Sequence, residues 1–382
     1  MDYLRAGFVF KFRKVVRYIS LYGLARTRMK ILAQLHMKRT VGFEGPEWRN
    51  PAASDSESRV VAIVGCGNFA FSTVAYYCKR WNSSFLRYAY DINPEKSRSL
   101  CDSYGGLIAT NEIEAIGDDP RVKIVFICSN HSSHQEYASY FLSKGKHVHI
   151  EKPHVVNESQ LRQLTASMVH EGNDRSVFLG FNRPRSPLFK ILREYLDSET
   201  GPVTINWFVA GHEIPDDHWY FSPKEGGRVL GNLCHWTDLS VQIVGLENSF
   251  PCKVVPLSAE NAKSDFGVMI LFADDSLAVI SFSAKGHTFD GVRETLNFHR
   301  GNKLGTLQDF RQLVVNDGPV THKHRLWFRD HGHGDNIFNS LSSLEGGGGE
   351  SPFQIESSAQ LFLAVKKAID SGRAVTCLGS DH

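Results

Sequence analysis

Apolar positions in the first forty residues recur at helical spacing. Phe8, Phe12, Val15, Val16 and Ile19 fall at i, i+4, i+7, i+8 and i+11, and a second stripe follows Gly23 through Leu24, Met29, Leu32 and Leu35. The pattern predicts a pair of amphipathic helices, then a Pro/Gly/Ser/Asp-bearing linker over 42–58. From Arg59 the period changes. Short strand-like runs at 60–64 (apolar and β-branched), 85–90, 124–128 and 148–150 alternate with stretches that suit helices, at 69–80 and 135–143 among others. The β-α-β-α-β-α-β order predicts a doubly wound parallel sheet of the Rossmann type. Beyond residue 180 the runs 203–209, 268–272, 277–283 and 294–299 succeed one another, with Ala273–Ser276 reading as a hairpin turn. Strands without intervening helices predict an open, mostly antiparallel sheet, closed by a helix over 354–371. The expected class is α/β. An extension with its linker occupies 1–58, a Rossmann domain 59–180 and an α+β domain 181–382.

Charge separates the extension from the rest. Residues 1–58 hold eleven Lys and Arg against five Asp and Glu, while the whole chain of 382 residues has 43 against 41. That balance argues against a dedicated nucleic-acid binder. The basic arm packs on its own body or on a sister subunit, or else residues 1–40 lie on an anionic membrane face. An organelle-targeting peptide is a third reading. The seven cysteines include no Cys-x-x-Cys pair, so free thiols in a reducing cytoplasm are expected. No apolar run is long enough to span a membrane.

The chemistry starts at Gly65-Cys66-Gly67-Asn68-Phe69-Ala70, directly after the first strand of the second domain. Gly65 permits the tight turn, Gly67 lets backbone approach a pyrophosphate, and Ala70 allows close helix–strand packing. Asp91 ends the next strand, where a carboxylate accepts from a ribose 2′-hydroxyl and repels a 2′-phosphate. NAD is therefore expected over NADP. Asp91 also suits the turn before Asn93-Pro94. Ser129, His131 and His134 follow a later strand, and Glu151-Lys152-Pro153 follows the last. Lys152 then stands at the carboxyl edge, where a lysine can move the proton of a reacting hydroxyl; its alternative is a solvated loop residue.

Together, Gly65-x-Gly67-x-x-Ala70, the Ser129–His134 segment and Gly145-Lys146-His147-Val148-x-x-Glu151-Lys152-Pro153 resemble the Gfo/Idh/MocA family, over roughly 59–380. The resemblance implies NAD-linked oxidation or reduction of sugars, inositols or nucleotide-sugars. Residues 180–187, Gly180-Phe181-Asn182-Arg183-Pro184 with Ser186-Pro187, and the extension are similar to a branch from surface-polysaccharide biosynthesis. Cofactor contacts are expected from Gly65, Gly67, Asn68, Phe69, Ala70, Asp91, Ser129, His131, His134, Glu151 and Lys152. Residues 226–238 resemble the family's histidine helix, so Lys152 and His235 are the expected catalytic pair. Arg183, His218, Trp219 and Asn232 join them as substrate contacts. The family's aspartate falls on Gly231, so nothing there can orient His235; Asp217 or Glu151 would have to serve. His322, His324, His331 and His333 lack an acid or thiol at ligand spacing, so a solvated loop beside the cleft is expected and no metal. The expected partners are a sugar or nucleotide-sugar and sister subunits. The rival readings are an NAD-assisted glycosidase or epimerase, and a non-catalytic NAD- or sugar-binding protein of a biosynthetic complex.

Overall fold

A computed structural model describes residues 7–379, except 44, 170–175, 259–261, 263, 286–288 and 345–347. The chain divides into two compact units. One comprises 28–180 with 333–355; the other comprises 1–27, 181–332 and 356–382.

The first unit is built on seven strands: β1 (Glu47–Arg49), β2 (Val61–Val64), β3 (Leu86–Tyr90), β4 (Ile108–Thr110), β5 (Ile124–Ile127), β6 (His147–Ile150) and β7 (Val177–Leu179). Their order is β1-β4-β3-β2-β5-β6-β7, parallel throughout except for β1. All four residues of β2, β5 and β6 are buried, as expected of strands covered on both faces. The expected Rossmann sheet is present, with three strands beyond the four expected: β1, β4 and β7. β4 was hidden because three residues behind Gly105-Gly106 show no period. β1 lies in the stretch read as linker and pairs antiparallel with β4, Glu47 opposite Thr110. Asp55, also in that stretch, pairs with Arg87 and Arg121.

The second unit carries β8 (Thr204–Ala210), β9 (Cys252–Pro256), β10 (Asp265–Leu271), β11 (Leu277–Ser283), β12 (Arg293–Arg300), β13 (Lys303–Gln308), β14 (Gln312–Asp317), β15 (Val320–Arg325) and β16 (Val375–Cys377). The order is β15-β14-β13-β12-β8-β11-β10-β9-β16, and only the β8–β11 pair is parallel. Burial alternates along β8: Ile205, Trp207 and Val209 face the core while Phe208 is 54% exposed. One face of β8 is thus covered and the other open.

The extension forms a helical segment, Phe8–Lys38, broken at Gly23, whose φ of 80° and ψ of 164° suit only glycine. Before the break it packs on the second unit. Phe10 stacks edge-on with Phe289, Arg17 pairs with Asp290, and Leu21 is buried while its carbonyl accepts from the Arg329 amide. After it, Ala33 and His36 are buried in the first unit. The apolar stripes read from the sequence are the packing faces only in part: Met29 and Leu32 of the second pack against the first unit's core. Phe8, Phe12 and Val16 of the first and Leu24 and Leu35 of the second are all at least half exposed. Tyrosines and a histidine, which a hydropathy pattern discounts, add further inward contacts. Gly23→Ala should lower unfolding free energy by about 1–3 kcal/mol, the usual cost of a side chain in this backbone region, read from denaturant titration.

Candidate active site

The glycine loop follows β2 at the carboxyl edge of the parallel sheet. Gly65 has φ of +85°, and a Cβ there would lie 2.5 Å from the Ser129 amide nitrogen, so no larger residue fits between the β2 and β5 ends. A Cβ on Gly67 would meet nothing within 4 Å. That open space, at the start of the following helical segment, fits a pyrophosphate approached by backbone. The segment opens with a π turn, Ala70–Val74, before the α-helix Ala75–Trp81, where a plain helix was expected.

The Cys66 peptide is held from both sides. Its N–H donates to Asp91 Oδ2 at 2.7 Å, and its carbonyl accepts from His36 Nε2 at 2.7 Å. The Ser99 hydroxyl lies 2.9 Å from His36 Nδ1, the pattern of a neutral ring protonated at Nε2. Burial lowers the His36 pKa, in agreement. Asp91 Oδ1 accepts from the Asn93 amide, and burial raises its carboxyl above the usual range in spite of both bonds. The ribose acceptor expected at 91 is also the brace of the loop and of its own turn.

Further along the same edge, Lys152 is half-buried and precedes a cis peptide to Pro153. His134, expected as a cofactor contact, is 1% exposed and faces two carbonyls, Pro153 O at 2.8 Å and Ser129 O at 3.1 Å. Burial lowers its pKa, so the neutral ring donates one N–H; its place is to hold the Lys152–Pro153 turn rather than to meet a ligand. His131 is buried against it, ring centroids 6.0 Å apart. Ser129 Oγ accepts from Ser133 Oγ. Glu151 is nearly buried, so close to Gly180 that a Cβ there would lie 2.7 Å from its Oε2. Asn68 is half-buried, Phe69 is exposed and Ala70 is buried.

In the second unit, His235 stands in the helix Cys234–Val244, 9% exposed, between the rings of Phe181 and Trp236. A π turn, Val229–Leu233, precedes this helix. Gly231 is not a vacant position. The Tyr220 ring covers it, 2.3 Å from where a Cβ would be, and the Tyr220 hydroxyl donates to the Gly231 carbonyl at 2.8 Å. The volume of the family's aspartate is thus taken by a phenol from the loop of His218 and Trp219, a residue that sequence reading missed. Trp219 is 45% exposed, and His218 Nδ1 accepts from the Tyr220 amide. Asp217 is exposed. Asn232 Oδ1 is buried and has no hydrogen-bond partner among the described residues. Asp238 accepts from Ser358.

Arg183, expected at the substrate, is committed elsewhere. It forms a two-pronged pair with Glu294, at 2.8 and 3.1 Å, and lies over the Trp236 ring. Glu294 also takes the Trp236 indole N–H at 2.9 Å and lies 3.0 Å from His331 Nε2. Burial alone would raise the Glu294 carboxyl, but Arg183 and His331 outweigh it and hold the pKa at about 2. The four histidines do not form one loop. His322 and His324 lie on β15, beside Tyr195; His331 is in the Glu294 cluster; His333 starts the helix His333–Ser342. Among the described residues no group of His, Cys, Asp and Glu could hold a metal.

Two outcomes follow from this geometry. Gly231→Ala should cost about 1–3 kcal/mol through overpacking against Tyr220, and Tyr220→Ala in the same chain should relieve part of it. A double-mutant cycle by thermal unfolding reads the coupling. Because the Glu294 pKa is depressed from 4.5 to about 2, its contribution to stability is complete above about pH 4.5 and is lost as pH falls towards 2. Glu294→Gln should remove that acid limb from a stability–pH profile and cost about 3–5 kcal/mol near neutrality, as for a broken buried pair.

Residues 59–179 match the Gfo/Idh/MocA family, described as an oxidoreductase family with an NAD-binding Rossmann fold. Myo-inositol 2-dehydrogenase of Thermotoga maritima is 26% identical over 258 residues, covering 62% of this chain and 76% of that protein. Inositol 2-dehydrogenase of Pseudomonas savastanoi is 34% identical over 139 residues, 36% of this chain and 41% of that protein. D-glucoside 3-dehydrogenase of Escherichia coli is 30% identical over 114 residues, 30% of this chain and 32% of that protein. The chain therefore spans less than half the length of these last two. Levoglucosan dehydrogenase in complex with NADH and L-sorbose shares the fold, with a TM-score of 0.71 at 15% identity over 84% of this chain and 98% of that one. The likeness to the Gfo/Idh/MocA oxidoreductase family is carried by the NAD-binding domain, residues 59–179.

Proposed function

We propose that the protein transfers a hydride between NAD and a secondary alcohol or ketone of a sugar, an inositol or a nucleotide-sugar. The observation that carries this reading is the open space over Gly67 at the same sheet edge as Lys152, a cradle and a proton-transfer group in one unit. NAD, when bound, accepts or returns hydride at its nicotinamide ring. The 65–70 loop, with Asn68 and Phe69, would hold the pyrophosphate; Asp91 would accept from the ribose; Ser129, His131 and Glu151 would line the edge. Lys152 Nζ takes or returns the proton of the reacting hydroxyl, and His235 shares that task. Asn232 Oδ1, a buried acceptor lacking a donor among the described residues, is suited to a substrate hydroxyl, and the exposed Trp219 ring to the face of a sugar. The relatives' names, inositol and glucoside dehydrogenases, support this substrate class.

A role in polysaccharide biosynthesis, a cytoplasmic setting and homo-oligomerisation belong to the same proposal. The open face of β8, with Phe208 exposed, supports oligomerisation. Exposed Phe8, Val9, Phe12 and Val16 leave one face of the extension for a sister subunit or for a membrane surface. No helix among the described residues is long and apolar enough to cross a membrane.

Absorbance of reduced nicotinamide, followed across a panel of sugars, inositols and nucleotide-sugars, tests the reading. Net reduction with one of them is the expected result. Substrate conversion without net change would favour the glycosidase or epimerase alternative, and no conversion the non-catalytic one. Lys152→Ala should then lower turnover by ~10²-fold or more while NADH binding is retained. Asp91→Ala should weaken NADH more than NADPH, and equal losses would leave Asp91 only its bracing of Cys66.

A further inference from the structure

A cavity of about 740 Å³ lies in the first unit. It is enclosed by residues 28–39 and the helices Ala75–Trp81 and Pro94–Tyr104. This volume is in the range of sites for small molecules. Its walls are apolar: Met29, Leu32, Phe71 and Tyr104, with Leu35, 60% exposed, at the mouth. Arg28, Lys38, Arg39, Lys79 and Arg80 also line it, and no carboxylate does among the described residues. Of the basic residues, Arg39 pairs with Asp102 at 3.3 Å. Lys79 and Arg80 lie over tyrosine rings, Tyr104 and Tyr76, which leaves their charge uncancelled by those contacts.

We propose that this cavity binds an amphiphilic anion, an aliphatic chain carrying a phosphate head group. The apolar wall is matched by the chain and the basic rim by the phosphate, whose charge arginine and lysine recognise. The cavity is also tied to the dinucleotide loop. His36, in its wall, stacks on Phe71 at 4.4 Å and donates to the Cys66 carbonyl, and the Phe71 amide donates to the Gly67 carbonyl. Occupancy is therefore felt at the loop read above as the NAD cradle, and this second part of the proposal rests on that reading.

Titration of the full chain with dodecyl phosphate below its micellar concentration, by calorimetry and without NADH, tests the site. Expected are one molecule per chain, a loss of affinity of tenfold or more in Arg28→Glu/Lys79→Glu, and a similar loss in Leu32→Trp, which fills the cavity. Both basic residues are exposed, so the double variant keeps the fold if the Leu32 variant does not. Inorganic phosphate at equal concentration should not compete. Vesicles of phosphatidic acid serve as the second source of the same head group; capture there that Arg28→Glu/Lys79→Glu reduces supports a lipid as the natural ligand. Binding only to vesicles, unchanged in both variants, would overturn the cavity. So would saturation by inorganic phosphate alone. NADH affinity should shift at least threefold with dodecyl phosphate present, and reciprocally. Saturable binding of the amphiphile with no such shift would overturn the coupling.

Discussion

The clamp on the Cys66 peptide is the constraint on which the cofactor side depends. Its N–H is held by Asp91 and its carbonyl by His36, so the turn between Gly65 and Gly67 is fixed by β3 and by the extension together. A loop fixed in this way loses little conformational freedom when a ligand arrives. It also explains why Asp91 stays half-buried with a raised pKa: a carboxylate that braces backbone amides cannot be fully solvated.

A comparable anchor works in the second unit. Glu294 on β12 gathers Arg183, Trp236 and His331, three side chains far apart in sequence. Trp236 is adjacent to His235, so the buried carboxylate sets where the histidine helix begins. Tyr220 fixes the turn before it by covering Gly231. The absence of a carboxylate at 231 therefore belongs to a different packing solution, in which a small residue makes room for an aromatic one.

What sequence reading could reach depended on the range of each signal. Period and punctuation were local, and they placed four of the parallel strands (β2, β3, β5 and β6), the hairpin at 273–276 and the glycine loop. β4 was too short to show a period, and β1 needed β4 as its partner. The extension failed differently. Its inward face uses Tyr18, Tyr22 and His36, whose partners lie hundreds of residues away or carry polar atoms that a hydropathy scale counts as outward. Arg183 was misread because a motif does not reveal Glu294, 111 residues on. Tyr220 had one signal in the sequence: a glycine where the family has a side chain implies a neighbour that fills the space.

NADH titration of Gly67→Val tests the central claim most directly, that the clamped loop is the cofactor cradle. A side chain at 67 meets no protein atom within 4 Å of its Cβ, so thermal stability should be unchanged. The same side chain would stand where the pyrophosphate backbone contact is made, so NADH affinity should fall at least ~100-fold, about 2.7 kcal/mol. Unchanged NADH affinity in a folded Gly67→Val chain would contradict the account.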